Sequence, residues 1–259
     1  MNFMLVALFA GVGLFGLILV SAEIGRRIGM ARLARNPAGL AQGGGSTEAA
    51  MFALFGLLIA FTFSGAASRF DDRRQLISEE ANAIGTAYLR LDLLPSDAQP
   101  PLRELFRRYV DSRYAVYRQA HDTAATEAKL AEAAGLQAEI WNETLAALQS
   151  QNLPSSATSL LLVALNEMID ITATRQMATQ NHPPLIVFLL LTGLSLVCAL
   201  LVGYGTSANV PRSWLHTLTF AAIISLTVYV IIDLEFPRLG LIRTDAADEM
   251  LAEVRESMQ

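Results

Sequence analysis

Four stretches of the chain carry no charged residue: Phe3 to Ala22, Ala49 to Ala67, Leu185 to Gly205 and Trp214 to Ile232. As helices rising about 1.5 Å per residue, each is long enough to cross the roughly 30 Å of a bilayer's hydrocarbon core. The pattern predicts four membrane-spanning helices. Gly11, Gly13 and Gly16 on the first predict close contact with another helix, the usual role of small residues inside a membrane.

The second apolar stretch runs on, without a Gly or Pro break, into a dense set of charges: Arg69, Asp71, Asp72, Arg73, Arg74, Glu79 and Glu80. A single helix is therefore predicted to leave the lipid and continue into water. Phe55, Ile59 and Phe63 recur every four residues and form a bulky stripe on it. Gly56, Ala60 and Ser64 form a small-residue stripe beside them. In an oligomer whose second helices surround an axis, the bulky stripe would stack as apolar rings, which can gate a pore by dewetting. The plainer reading has the same residues facing lipid or a neighbouring helix.

Between the second and third spans the periodicity is helical throughout, with no strand signal. Ile77, Ile84, Tyr88 and Leu91 share one face, and Leu94-Pro95-Ser96-Asp97 ends that segment. Leu102, Leu105, Phe106, Tyr109, Val110, Val116 and Tyr117 give a second amphipathic stripe. A third segment, from about Thr123 to Leu148, is predicted to bury Leu130, Trp141, Leu145 and Leu148. Ser155-Ser156 reads as the cap of a fourth that runs to about Gln180, before Asn181-His182-Pro183-Pro184 breaks the chain. Four such helices suit an antiparallel bundle.

The fold class expected is thus an all-α membrane protein with four transmembrane helices and a helical bundle inserted between the second and third. Its parts are residues 1–68, the first two spans with an Arg- and Gly-rich loop from Ile24 to Thr47; 69–182, the soluble bundle; 183–236, the last two spans; and 237–259, a short acidic helix. Asp233 and Glu235 close the fourth span. Carboxylates at a membrane boundary are costly in lipid, so both need water, a partner or an ion.

Composition sharpens this picture in a few places. The chain has 19 Lys and Arg against 24 Asp and Glu, and the central block alone holds fifteen of those acids, so no basic stripe marks a nucleic-acid partner. Arg26, Arg27, Arg32 and Arg35 after the first span and Arg69, Arg73 and Arg74 after the second pull orientation in opposite directions. The lone Cys198 lies in the third span and reads as a packing residue. Met1-Asn2 supplies no basic start for a signal peptide, so the first span is expected to be retained. Gly43-Gly44-Gly45-Ser46-Thr47 lacks the Lys and the preceding strand of a nucleotide loop. His121, His182 and His216 are scattered with no Cys/His pair or Ser/His/Asp spacing, and Glu167 with Asp170, on one helical face, read as solvated or Arg-paired carboxylates, so an enzyme is not expected. The arginines Arg103, Arg107, Arg108, Arg113 and Arg118, interleaved with tyrosines, read as bundle surface. No cofactor and no metal is expected.

A family resemblance enters on two runs. Arg69-Phe70-Asp71-Asp72-Arg73-Arg74 with Glu79-Glu80-Ala81-Asn82-Ala83-Ile84-Gly85-Thr86-Ala87-Tyr88-Leu89-Arg90 and Leu93-Leu94-Pro95, together with Asp233-Leu234-Glu235-Phe236-Pro237 and Gly240, resembles the bacterial bestrophin-like proteins, a class defined as a domain of unknown function. More distantly the chain is similar to bestrophins. That resemblance implies pentameric ion channels with four membrane helices per subunit, a pore lined by the second helix and a neck of three bulky residues, here matched by Phe55, Ile59 and Phe63. The animal members' acidic calcium clasp is replaced here by Leu241-Ile242-Arg243.

The function expected is a homo-oligomeric, bestrophin-like channel in a bacterial inner membrane, conducting small inorganic ions. Its partners are the lipid bilayer, further copies of itself, with a pentamer as the family's assembly, and the ions. Glu80, Asn82, Arg90, Asp233 and Glu235 are the polar residues expected to couple the bundle to the membrane ends. The alternative is a non-conducting sensor or scaffold whose bundle binds a ligand or partner.

Overall fold

A computed structural model describes residues 3–35, 45–118, 123–150, 153–208, 214–237 and 239–258. Among these the chain is helical and has no strand: α1 (Phe3–Arg35), α2 (Gly45–Leu89), a 3-10 turn (Arg90–Leu93), α3 (Gln99–Arg118), α4 (Thr123–Ser150), α5 (Ser155–Gln180), α6 (Leu185–Gly205), α7 (Trp214–Glu235) and α8 (Asp245–Ser257). Four helical segments are long and apolar enough to cross a membrane. The chain divides into two compact units, Met1–Ser68 with His182–Leu241, and Arg69–Asn181 with Ile242–Gln259. The 45-residue α2 contributes to both without interruption.

The apolar unit is built by α1 packing along α6 and α7, which also meet each other. Side-chain size decides how closely α1 and α6 approach. A methyl group on Gly25 would collide with the backbone of Leu200, and one on Gly203 with that of Ala22. Ser21 Oγ donates to the Leu196 carbonyl across the same seam at 2.7 Å, the kind of cross-helix bond that membrane bundles use. Of the three early glycines, Gly11 meets the Tyr229 ring, but Gly13 and Gly16 face open space. The close seam lies later in α1 because it uses a small-residue row at Ala22, Gly25 and Gly29. Cys198 is buried in α6 as a packing residue.

Helix α1 also runs further than its uncharged stretch, since residues 24–35, expected as loop, are helical. A change of solvent does not end a helix that has good formers and no proline, and Glu23 and Arg27 reinforce it with an i,i+4 bond of 2.9 Å. Gly43 and Gly44 lie outside the described residues.

The second unit is the helical bundle. α3 packs on α4 and α8, α4 on α5, and α5 on the 3-10 turn. The predicted stripes of α2 and α3 are its core: Ile77, Ile84, Tyr88, Leu91, Leu102, Leu105, Phe106, Tyr109, Val110 and Val116 are all buried. The Tyr117 side chain lies outside the described residues. On α4 the face differs from the expected one. Ala133, Leu136, Ile140, Thr144 and Ala147 are buried, whereas Leu130, Trp141, Leu145 and Leu148 are only partly so. In an Ala-rich helix the larger side chains are a poor guide, because small ones let a neighbour come close. The α5 cap is also corrected: Pro154 occupies that position with no side-chain hydrogen bond, and Ser155 starts the helix. The acidic tail helix α8 is part of the bundle unit, with Leu251 and Met258 in its core.

Candidate functional site

Within the apolar unit, α2 has two unlike sides. Phe55, Thr62 and Ala66 are buried, and Phe52 meets Phe220 of α7 edge to face at 6.4 Å. Leu54, Leu57, Phe61 and Phe63 are exposed, and of the most apolar eighteen residues only 17% are buried. The predicted stripe does not lie on one side. Phe55 is 3% exposed, Ile59 is half-buried and Phe63 is 42% exposed. Four helical residues turn about 400°, so a four-residue repeat drifts about 40° per step and leaves the buried side within two steps. Gly56 has open space where a side chain would be, and Ala60 and Ser64 are exposed, so the small stripe meets nothing inside this unit of the chain at Gly56.

The end of α7 folds back on itself. The backbone N–H of Leu241 donates to both oxygens of the Asp233 carboxylate, at 3.0 and 3.1 Å. Gly240 makes the approach possible, since any Cβ there would overlap that carboxylate. Glu235 is 1% exposed and lies 3.5 Å from Nδ1 of His182, whose ring stacks on Phe236 with centroids 4.5 Å apart. Both boundary acids thus have protein partners, as the cost of burying a carboxylate requires.

In the bundle, Glu80 is fully buried. Its Oε1 accepts from Nε of Arg113 at 2.6 Å, its Oε2 accepts from Arg175, and Arg175 reaches on to Asp248 of α8 at 3.2 Å. Burial pushes the Glu80 carboxyl up, but Arg113 and Arg175 together outweigh it and hold the group below its ordinary value of 4.5. Beside it, Tyr109 is buried, and its hydroxyl meets Thr172 Oγ1 at 3.1 Å and accepts from Gln137 Nε2 at 2.9 Å. Burial, and then the Glu80 charge, push the Tyr109 phenol up to about 12.

Of the other polar residues singled out, Asn82 is exposed, and Arg90 donates to the Leu160 carbonyl at 2.6 Å. Glu80, Asn82 and Arg90 are therefore not gathered into one cluster in the bundle. Asp233 and Glu235 belong to the apolar unit. Arg113, expected at the surface, is buried against Glu80. Arg175 and Asp248 were not legible as partners, although one signal existed: Glu80 falls between Ile77 and Ile84 on a buried face, where a carboxylate needs a cation. Arg73 is a further unforeseen contributor, donating to the Ala178 carbonyl in the last turn of α5 and to that of Asn181 just beyond it, 3.1 and 2.9 Å away. Among the described residues no group of three His, Cys, Asp or Glu could hold a metal ion.

Residues 48–247 match the bestrophin-like domain. The chain belongs to the bestrophin-like family. No curated protein matches the sequence. Two crystal structures of a bacterial bestrophin homologue from Klebsiella pneumoniae, each with a single substitution, share the fold. One has a TM-score of 0.70 at 14% identity, covering 96% of this chain and 98% of that one. The other has a TM-score of 0.68 at 15% identity, covering 95% and 98%. A structure described only as a membrane protein is similar too, with a TM-score of 0.69, 15% identity and coverage of 96% and 98%. At these identities the likeness is one of bestrophin-like fold.

Proposed function

We propose that copies of this bestrophin-like chain assemble around a central conduit in a bacterial cytoplasmic membrane and conduct small inorganic ions through it, the wall being the exposed side of α2. One observation carries the reading. One row among the exposed residues of the unbroken α2 keeps helical spacing from Leu57, Phe61, Ser64 and Ser68 to Asp72, Gln75 and Glu79. Such a face offers apolar rings followed by polar ones when several copies share an axis. Phe55 has the role of holding α2 to its own chain, while Leu57 and Phe61, with Phe63 at the margin, are the neck candidates.

Family membership and the fold of the Klebsiella homologue support the reading. Imaging single particles of the purified protein, together with ion flux into liposomes, tests it. A ring of subunits with α2 innermost and measurable flux is expected. A monomer, or a ring with another helix innermost, overturns it. The second reading, a non-conducting sensor, is favoured by one feature, a cleft between α4 and α5.

A further inference from the structure

The α4–α5 cleft has a volume of about 400 Å³, within the roughly 300–1,000 Å³ of small-molecule sites. Its walls are Gln137, Trp141, Asn142, Asn166 and Ile169 with two alanines, and no ionisable side chain lines it. Small residues on α4 open the gap, and the half-buried Trp141 indole gives it a flat apolar surface.

The polar atoms are placed for use. Gln137 Nε2 donates both to Tyr109 Oη, at 2.9 Å, and to Thr172 Oγ1, at 3.0 Å. Those bonds fix the Gln137 amide, and its Oε1 remains as an acceptor with no protein donor among the described residues. The Trp141 N–H and the Asn142 and Asn166 amides likewise make no hydrogen bond to described protein groups. The cleft therefore combines an aromatic platform, three amides offering donors and acceptors, and no charge. A charged ligand would find no counter-charge among these walls, whereas a neutral ring with one C–H face and a hydroxyl edge matches the indole and the amides of this open cleft.

We propose that this cleft binds a small uncharged polyol of monosaccharide size, its C–H face on Trp141 and its hydroxyls bonded to Asn142, Asn166 and Gln137 Oε1. The inference is independent of conduction, because it concerns binding to the bundle alone. The experiment is a fluorescence titration of the purified full-length protein carrying Trp214→Phe, which leaves Trp141 as the one tryptophan of the two in the chain. The probes are glucose, galactose, mannose, ribose and myo-inositol, with glucuronate as the charged control. A saturable change with at least one neutral probe is expected, weaker with glucuronate. Asn166→Ala, an exposed position, should weaken it about fivefold, as loss of a neutral hydrogen bond does, without shifting the melting temperature. Unsaturable changes with all five neutral probes, or a saturable change untouched by Asn166→Ala and Asn142→Ala, would overturn the assignment.

Discussion

Arg175 donates to Glu80 at the buried centre of the bundle, although 95 residues separate them in sequence. Removing one member of a buried ion pair strands the other, at a cost of about 3–5 kcal/mol. Arg175→Ala and Glu80→Ala should therefore lower the melting temperature of the purified protein sharply. Glu256→Ala, on the exposed side of α8, should stay within about 0.5 kcal/mol. Similar melting temperatures for all three would refute the network's role.

The same cluster sets a pH dependence at both ends. Glu80 has a depressed pKa, so its contribution is fully present above the ordinary 4.5 and fades as the pH falls through its lower folded value. Tyr109 is raised to about 12, so its contribution is present below the ordinary 10 and fades as the pH climbs toward 12. Thermal melts across pH should show an acid loss that Glu80→Gln removes. Absorbance at alkaline pH should show a late-ionising tyrosine that Tyr109→Phe removes.

The α1–α6 seam tolerates no added methyl group. Gly25→Ala and Gly203→Ala force the backbones apart and should cost about 1–3 kcal/mol, the range for overpacked sites. Gly13→Ala and Gly16→Ala point into open space and should be neutral. Detergent-resistant folded yield for the four variants would separate the pairs, and equal losses would contradict the seam.

At the end of α7, Asp233→Ala leaves the Leu241 N–H without its acceptor and should destabilise by about 1–3 kcal/mol, more than Glu256→Ala. Asp233→Asn keeps one carbonyl oxygen and should recover part of the loss. Melting curves rank the three, and an order with Asn as harmful as Ala would count against the N–H contact.

The two sides of α2 should respond differently. Leu57→Ala and Phe61→Ala, at exposed positions, should raise ion flux by widening an apolar constriction, with little change in stability. Phe55→Ala, buried, should lower stability by about 3–5 kcal/mol. Liposome flux beside thermal melts tests this, and a flux gain confined to Phe55→Ala would move the wall to the other side.

The four apolar helices long enough to cross a membrane and the α2 and α3 core stripes were readable because long apolar runs and repeated large side chains leave strong periodic signals. α2 itself was readable as a single helix, since nothing between Ala49 and Leu89 breaks one. Less was visible where small residues decide packing. Ala133 and Ala147 on α4 and Gly25 on α1 carry no hydropathy signature, and only the facing backbone reveals their use. Long-range charge pairing was hidden for another reason. Glu80 needed a cation, but which of eleven basic residues in the central block would arrive depends on tertiary topology. The drift of Phe55, Ile59 and Phe63 across two sides of α2 is a matter of 3.6 against 4.

Positions 233 and 240 occupy one shared volume: the carboxylate fills the space that a side chain on Gly240 would take. Their amino-acid choices are consequently linked. Among relatives, a larger residue at the second position is compatible with this turn only alongside a shorter one at the first, so an Ala at 240 should travel with a Ser or Gly at 233.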